Sequence, residues 1–422
     1  MITLKKFGIS AVLCIIIGLP LTGYGDDYHY VNILVGDRAS GLGGAYTAIS
    51  DDPSGCYYNP AGIAFAPHNS LSGSANAFSL SRKIYKDALE NTGGGKIDWE
   101  QESFSIVPNF FGIVRKLGNG AIGFSYAVTD SIKRRQKQSF QNIASFFGDN
   151  PIDTYSININ DNDETYLLGP SYAYRFSGSF SVGATVYAYY RDKEIIRNQL
   201  IIFDQGEHQL MNSYETEISW GYKPSFGVIW EPMETVSIGL TLSKIMVVTS
   251  DNEFQEMSRD TTGYSDDDFS DTNAIYFDRS GNDDTPDFPF TAALGAAWFI
   301  SPRLLFSGDL VYYEEMTDRS EIVNFALGTE YYVTDSFALR AGFFSDYSNT
   351  PLLGNDRINQ VEHVDIYGAS LSATVFRGMS GITLGVTKGW GSGEAQIVSN
   401  SPQIQDVEID NLTIFISASY SY

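Results

Sequence analysis

The sequence predicts an all-β protein, a transmembrane antiparallel β-barrel of about 14 strands with an N-terminal hatch, or plug, in the lumen. Two observations support this prediction. About fourteen segments of roughly ten residues alternate apolar and polar side chains, and the connections between them alternate between short and long. The composition, with 40 glycines, 27 tyrosines and 14% aromatic residues, also favours strands and turns over helices.

The first 25 residues predict a secretory signal peptide. Lys5 and Lys6 precede an apolar run that is too short to span a membrane, and small residues follow as far as Gly25, after which we expect cleavage. Beyond that point the chain has a single cysteine, Cys56, so no intrachain disulfide is expected.

Residues 26–68 precede the first predicted strand and form the predicted hatch, and residues 69–422 form the predicted barrel. A barrel of about fourteen strands encloses a space too wide for its own side chains to fill. The segment carries apolar groups, including Tyr46, Ile49 and Phe65, which a free tail would expose to water. We therefore expect it to fold into the lumen.

The stretch "GLGGAYTAISDD", residues 41–52, looks at first like a glycine loop that binds a nucleotide phosphate. However, Gly41 and Gly43 are not followed by the last glycine of a dinucleotide loop, and the Lys-Ser/Thr pair of a phosphate loop is absent. A net charge of −24 also argues against nucleic acid as a partner. The motif therefore serves another purpose.

The predicted strands lie near residues 69–80, 103–115, 119–130, 164–176, 180–192, 213–231, 234–246, 288–300, 303–315, 321–332, 336–347, 363–376, 379–390 and 409–422. In the last of them Ile414, Ile416 and Ala418 alternate with Ser417 and Ser419. Alternation alone cannot distinguish a lipid-facing strand from one that faces a second sheet.

The connections favour the barrel, because short turns alternate with long polar loops at 81–102, 131–163, 193–212, 247–287, 348–362 and 391–408. Three prolines, at 108, 170 and 224, fall inside predicted strands and indicate bulges or misplaced boundaries.

The motif "GLGGAYTAISDD" followed by "YYNPAGIAF" resembles the hatch of the FadL/TodX family of outer-membrane transporters for long-chain fatty acids and other hydrophobic compounds. The resemblance implies a fourteen-stranded barrel in the bacterial outer membrane, plugged by a hatch, with substrate released sideways through a gap in the wall. The residues that carry the resemblance, and that we expect to form the hatch and gate, are Gly41, Leu42, Gly43, Ala45, Tyr46, Asp51, Asp52, Asn59, Pro60 and Ala61.

Five basic residues are predicted to face the lumen: Arg115, Arg175, Arg191, Lys223 and Arg340. A fatty-acid carboxylate would bind such groups through charge-assisted hydrogen bonds, and Lys223 and Arg340 are the chosen candidates. The alternative is an ordinary polar lining, in which these cations pair with lumen acids such as Asp309, Glu330 and Asp346.

Neither an enzyme nor a metal site is predicted. Two near matches to the G-x-S-x-G motif, at Ser125 and Ser171, lack the final glycine, and the four histidines have no metal-ligand spacing. The acidic loops at 160–166, 266–271 and 281–287 lack calcium-loop spacing. No cofactor is expected, and the partners are hydrophobic small molecules, outer-membrane lipid and lipopolysaccharide.

The predicted function is passive uptake of long-chain fatty acids or other hydrophobic molecules through the plugged barrel. The alternative is a structural or secretion-accessory barrel that docks exported proteins at its loops. A continuous apolar pocket beside a wall gap would favour transport, whereas a sealed lumen with large apolar loop surfaces would favour docking.

Overall fold

The computed structural model describes residues 28–144, 151–261, 275–317, 319–358, 360–397 and 403–422. The predicted signal peptide and the acidic stretch 266–271 lie outside these residues. Within the described ranges, no helix is long and apolar enough to cross a membrane.

Short helices occupy the N-terminal segment, and strands form the rest of the fold. The helices are α1 (Asp37–Gly41), α2 (Gly55–Tyr58) and a 3₁₀ helix (Pro60–Phe65). The strands are β1 (Ser70–Glu90), β2 (Lys96–Leu117), β3 (Gly120–Ile143), β4 (Ile152–Ser177), β5 (Phe180–Phe203), β6 (His208–Met233), β7 (Val236–Ser243), β8 (Met246–Asp260), β9 (Ile275–Asn282), β10 (Thr291–Ser301), β11 (Leu304–Tyr313), β12 (Ile322–Thr334), β13 (Phe337–Asp346), β14 (His363–Arg377), β15 (Ser380–Ala395) and β16 (Gln405–Ser421).

The strands pair antiparallel and close on themselves where β1 meets β16, from Ser70↔Ser421 to Tyr85↔Val407. One half of β6 pairs with β7 and the other half with β8, so β7 and β8 share one position in the wall. β9 extends the sheet from the outer part of β8. The described residues therefore close into a barrel of fourteen strand positions, which confirms the predicted fold.

The outward face of the barrel is apolar, and its residues alternate with buried, inward-facing ones. On β16, Ile414 and Ile416 are exposed, whereas Phe415 and Ser417 between and beside them are buried. On other strands, Trp298 is 56% exposed and Leu327 is 54% exposed. Side chains of this size on the outside of a closed barrel require a lipid environment.

Several predicted loops are instead strand. The stretches 81–102, 131–163 and 193–212 consist largely of extensions of β1 to β6, and these six strands are 21 to 26 residues long. Bilayer thickness limits the apolar belt but not the strand, and sequences such as "SININ" continue to alternate beyond the belt. The wall formed by β1 to β6 therefore extends well beyond the apolar belt, at the end of the barrel where the long loops were predicted.

A bulge in β2 reverses the predicted orientation of Arg115. The register between β1 and β2 shifts between Ser74 and Ala75, and Ala75 pairs with Pro108. After this shift Val114 is buried and Arg115 is exposed on the outer face. The prediction that Arg115 faces the lumen is wrong, because one extra residue in a strand moves the following side chains to the opposite face.

Residues 28–68 lie against the inside of the wall. Leu42, Tyr46 and Ile49 form one apolar cluster with Ala297 of β10 and Leu305 of β11. The segment's Cys56, Ile63, Ala64 and Ala66 form another cluster with Val114, Ala121 and Ala173 of β2, β3 and β4. The segment therefore contacts opposite sides of the lumen.

Candidate functional site

Backbone groups of the N-terminal segment are bound to the wall. The N–H groups of Tyr46 and Thr47 donate to the same carboxylate oxygen of Asp309, at 2.9 and 2.8 Å. Tyr46 is fully buried, and its ring stands edge-on to that of Tyr58, with 5.7 Å between centroids. Asp309 is therefore an anchor for the turn after α1, not a free lumen acid.

Asn59 joins three backbone groups from different parts of the structure. Its side-chain nitrogen donates to the carbonyl oxygens of Thr47 at 2.8 Å and Val228 at 3.1 Å. Its side-chain oxygen accepts the N–H of Ala61 at 3.1 Å and so caps the 3₁₀ helix that begins at Pro60. Asn59 is fully buried, so these bonds lie in a dry interior.

A buried charge cluster lies beneath α1. Glu330 accepts two hydrogen bonds from Arg38, at 2.8 and 2.9 Å, and one from Arg340 at 2.5 Å. Arg38 also pairs with Asp51, and Arg340 also donates to Thr374. Glu330 and Arg340 are only 2% and 3% exposed. Arg340 is therefore bound within the cluster, where it stabilises the carboxylate that pairs with Arg38 of α1.

Glycines let the segment and the wall touch through their backbones. A methyl group at Gly342 would overlap the backbone of Leu42 and Gly43, and one at Gly183 would lie 2.5 Å from the N atom of Ala61. A methyl group would also overlap backbone of the segment at Gly239, Gly295 and Gly328, and side chains of the segment at Gly112, Gly123 and Gly227. Gly43 itself has φ of 65°, a left-handed conformation that glycine adopts readily.

An apolar cavity, here called the inner cavity, lies between the segment and the wall. Its volume is about 250 Å³. Residues 29–34, Tyr57 and Tyr58 of the segment face Leu167, Tyr189, Phe288, Val311, Tyr313 and Phe344 of the barrel. Polar and charged side chains, among them Asp130, Arg191 and Lys223, also line the cavity. A cavity with aromatic and aliphatic walls and some polar groups suits a ligand that is mainly hydrophobic.

Lys223 is a cation in the wall of the inner cavity. Its ammonium nitrogen lies 4.8 Å from the centre of the Tyr57 ring. Within the described residues, no carboxylate forms an ion pair with it. The two cations chosen from the sequence therefore differ: Lys223 faces the cavity, and Arg340 is bound within the charge cluster.

The wall has a gap between β2 and β3. Within the described residues, these strands share register partners from Phe110↔Ala127 to Leu117↔Gly120 and again at Ser103↔Arg134, with none between. The register of β3 with β4 also shifts between Val128 and Asp130, which marks a bulge beside the gap. Asp130 lines the inner cavity, so the gap adjoins it.

The sequence did not identify the aromatic lining of the inner cavity. Tyr189 and Tyr313 lie near the ends of predicted strands, a position typical of interfacial tyrosines, yet Tyr189 is fully buried and both line the cavity. Phe288 precedes β10 and packs against Tyr189, with 5.6 Å between ring centroids. A strand-end tyrosine looks the same in sequence whether it points outward or inward, so only the register could show the difference.

The comparisons with known proteins agree with this architecture. Residues 34–314, about two thirds of the chain, match the family described as "Outer membrane protein transport protein (OMPP1/FadL/TodX)". No curated protein matches the chain by sequence.

Solved structures share the fold at low identity. The toluene transporter TodX of P. putida has a TM-score of 0.63 at 13% identity, over 93% of this chain and 99% of that one. A FadL homologue of Pseudomonas aeruginosa has a TM-score of 0.59 at 15% identity, over 93% and 99%. The monoaromatic hydrocarbon channel CymD has a TM-score of 0.57 at 13% identity, over 94% and 99%.

The family consists of transporters, not enzymes, and its members are outer-membrane proteins. The family match, the fourteen-stranded barrel and the apolar cavity beside a wall gap all agree with an outer-membrane transport protein. The chain belongs to the FadL/TodX family of outer-membrane transport proteins.

Proposed function

We propose that this protein takes up long-chain amphiphiles, with fatty acids as the substrate class, by passive diffusion through the inner cavity. The observation that carries the proposal is the apolar cavity of about 250 Å³ with Lys223 in its wall and the β2–β3 gap beside it. The cavity would bury the tail, with a gain of about 0.8 kcal/mol per methylene. Lys223 would bind the carboxylate head.

In this proposal residues 26–68 act as a hatch that closes the lumen. The contacts that support a closed state are the Asn59 hydrogen bonds, the Asp309 anchor and the Arg38–Glu330–Arg340 cluster. The wall gap beside the inner cavity would give a molecule held there a lateral exit. Release through the gap would deliver an apolar molecule into the membrane without crossing water.

The inner cavity and the β2–β3 gap favour transport over the docking alternative. A barrel that only docks exported proteins needs neither an apolar cavity in its lumen nor a break in its wall. Both features are present here, and they are adjacent.

The test is the initial rate of uptake of radiolabelled dodecanoate by cells with and without the protein, measured beside dodecane. We expect both rates to fall in cells that lack the protein. Lys223→Met should reduce dodecanoate uptake roughly tenfold, because one charge-assisted bond contributes about 1.5–3 kcal/mol. Dodecane uptake should stay unchanged in that variant.

Arg135 offers a matched control, because it is an exposed cation on the outer face of β3. Arg135→Met should leave both rates unchanged. Equal uptake with and without the protein would remove the transport proposal. Equal loss of dodecane and dodecanoate uptake in Lys223→Met would remove the role of Lys223 as a head-group site.

A further inference from the structure

The strand β9 forms a free edge of the sheet outside the membrane belt. Within the described residues it pairs with β8 on one side, from Asn252↔Asn282 to Arg259↔Ile275, and with no strand on the other side. The backbone N–H and C=O groups of that second side can therefore pair with another extended chain. Every residue of β9 is exposed.

Contact with lipid does not account for the apolar side chains of β9. The stretch of β8 that pairs with it lies beside residues 210–217 of β6. Glu217 is three residues, or about 10 Å along the strand, beyond Trp220, an exposed residue of the aromatic belt at the membrane boundary. Ile275 is nevertheless 64% exposed and Phe277 is 60% exposed. Apolar groups exposed outside the lipid region are typical of a surface that binds a protein.

The two faces of β9 differ in character. On one face Phe277 lies opposite Met257 of β8, which is also exposed, and Ile275 lies on the same face as Phe277. On the other face Asp278 lies opposite Glu256. Since successive side chains of a strand alternate between faces, an added strand would meet apolar groups on one face and carboxylates on the other.

The pair of carboxylates has no counter-ion within the part of the chain that the structure describes. Glu256 and Asp278 face each other directly across the two strands, and burial together with Asp278 raises the pKa of Glu256. Arg279 lies on the opposite face, where it pairs with Glu253 at 2.7 Å. A cation on an added strand, opposite Asp278, would relieve the repulsion between the two carboxylates.

The surroundings of β9 carry charge of the same sign. Residues 246–261 and 275–287 contain eight Asp and Glu residues against two Arg residues. Acidic surroundings attract a basic segment and repel an acidic one during encounter. The charge therefore selects a basic partner among the extended chains that could pair with the free edge.

We propose that β9 binds an extended segment of another protein by strand addition, and that this segment alternates apolar and basic residues. Main-chain hydrogen bonds to the free edge would supply affinity, and the side chains would supply specificity. The apolar side chains would pack beside Ile275 and Phe277, and a lysine or arginine would lie opposite Asp278. Because β9 does not line the inner cavity, this binding is separate from the proposed uptake.

Fluorescence anisotropy with labelled heptapeptides tests this site on the full chain in phosphatidylcholine nanodiscs, whose lipid has no net charge. We expect the alternating peptide VKVKVKV to bind and the acidic peptide VEVEVEV not to bind. The block peptide KKKVVVV has the same composition without the alternation and should lose most of the binding. An alternating peptide that is N-methylated at every residue should not bind, because it has no backbone N–H to donate.

Variants of the protein locate the site. Glu256→Gln combined with Asp278→Asn should weaken binding of VKVKVKV roughly three- to tenfold, because both carboxylates on the lysine face are neutralised. Phe277→Thr keeps a strand-forming residue but removes the ring, and it should weaken binding by a similar factor. The matched control is Glu234→Gln combined with Asp335→Asn, which removes the same charge from exposed turns at the opposite end of the barrel and should leave binding unchanged.

Heat-modifiable migration on a gel shows that the barrel of each variant is folded. Equal affinity for the alternating and block peptides would overturn the proposal, and so would wild-type affinity in the folded double variant of Glu256 and Asp278. Sedimentation velocity in detergent without peptide tests a second copy of the chain as the occupant. We expect a monomer, and a dimer that Phe277→Thr dissociates would assign the edge to self-association and overturn the proposal.

Discussion

Asn59→Ala should loosen the hatch while leaving the barrel intact. The substitution removes all three Asn59 hydrogen bonds, of which those with the Thr47 carbonyl and the Ala61 N–H lie within the buried segment. A buried group that loses its partner costs about 1–3 kcal/mol, so two such groups destabilise the closed hatch by about 2–6 kcal/mol. These bonds are not part of the strand pairing of the barrel.

Hydrogen–deuterium exchange measures this loss directly. A cost of 2 kcal/mol raises the population of the open hatch about 25-fold, since every 1.4 kcal/mol is a factor of ten. Peptides from residues 45–66 should therefore exchange at least about 25-fold faster. Peptides from β12 to β15 should exchange at the original rate.

Asn119→Ala is the control, because Asn119 lies exposed in the turn between β2 and β3. It should change neither set of peptides. Unchanged exchange in residues 45–66 of Asn59→Ala would refute the reasoning. Faster exchange throughout the barrel would also refute it, because the hatch would then be part of the barrel's folding unit.

Three further predictions concern the contacts between hatch and wall. Gly342→Ala should destabilise the hatch by about 1–3 kcal/mol, because the added methyl group overlaps hatch backbone, whereas Gly178→Ala, where the methyl group meets nothing, should be neutral in the same exchange assay. Glu330→Gln should cost about 3–5 kcal/mol in thermal unfolding, because it leaves two arginines without their shared carboxylate, and exposed Glu315→Gln should leave the transition unchanged. Burial and the neighbouring Asp37 raise the pKa of Asp52 to about 6, so the folded hatch binds more protons than the unfolded one between the ordinary value of 3.8 and 6. Hatch exchange should therefore slow as pH falls from 7.5 to 5, after correction for intrinsic rates. The slope should be shallower in Asp52→Asn, and an undiminished slope in that variant would contradict the assignment.

The sequence predicted the barrel because the bilayer imposes a regular constraint. Residues such as Ile414 and Ser417 must face lipid and lumen in turn, and this alternation is visible without any tertiary information. The packing of the N-terminal segment against the inner wall was also predictable in outline, because its apolar residues required a buried location.

The site was only partly predictable, for two physical reasons. Bulges change which face a residue occupies, so Arg115 was assigned to the wrong face and the gap beside Asp130 could not be located. Pairing between distant segments decides whether a cation is free, and sequence could not separate Arg340, bound to Glu330, from Lys223 in the cavity wall.

The most direct test of the central claim is to close the wall gap chemically and measure uptake. Cysteines at Ser105 and Ile132, which face each other across the gap in the continued register, would be bridged with a short bis-maleimide in a Cys56→Ser background. A second pair at Phe111 and Tyr126, partners in the intact part of the ladder, is the control. We predict that bridging the gap stops dodecane uptake while bridging the control pair leaves it unchanged; full uptake through a bridged gap would contradict lateral release.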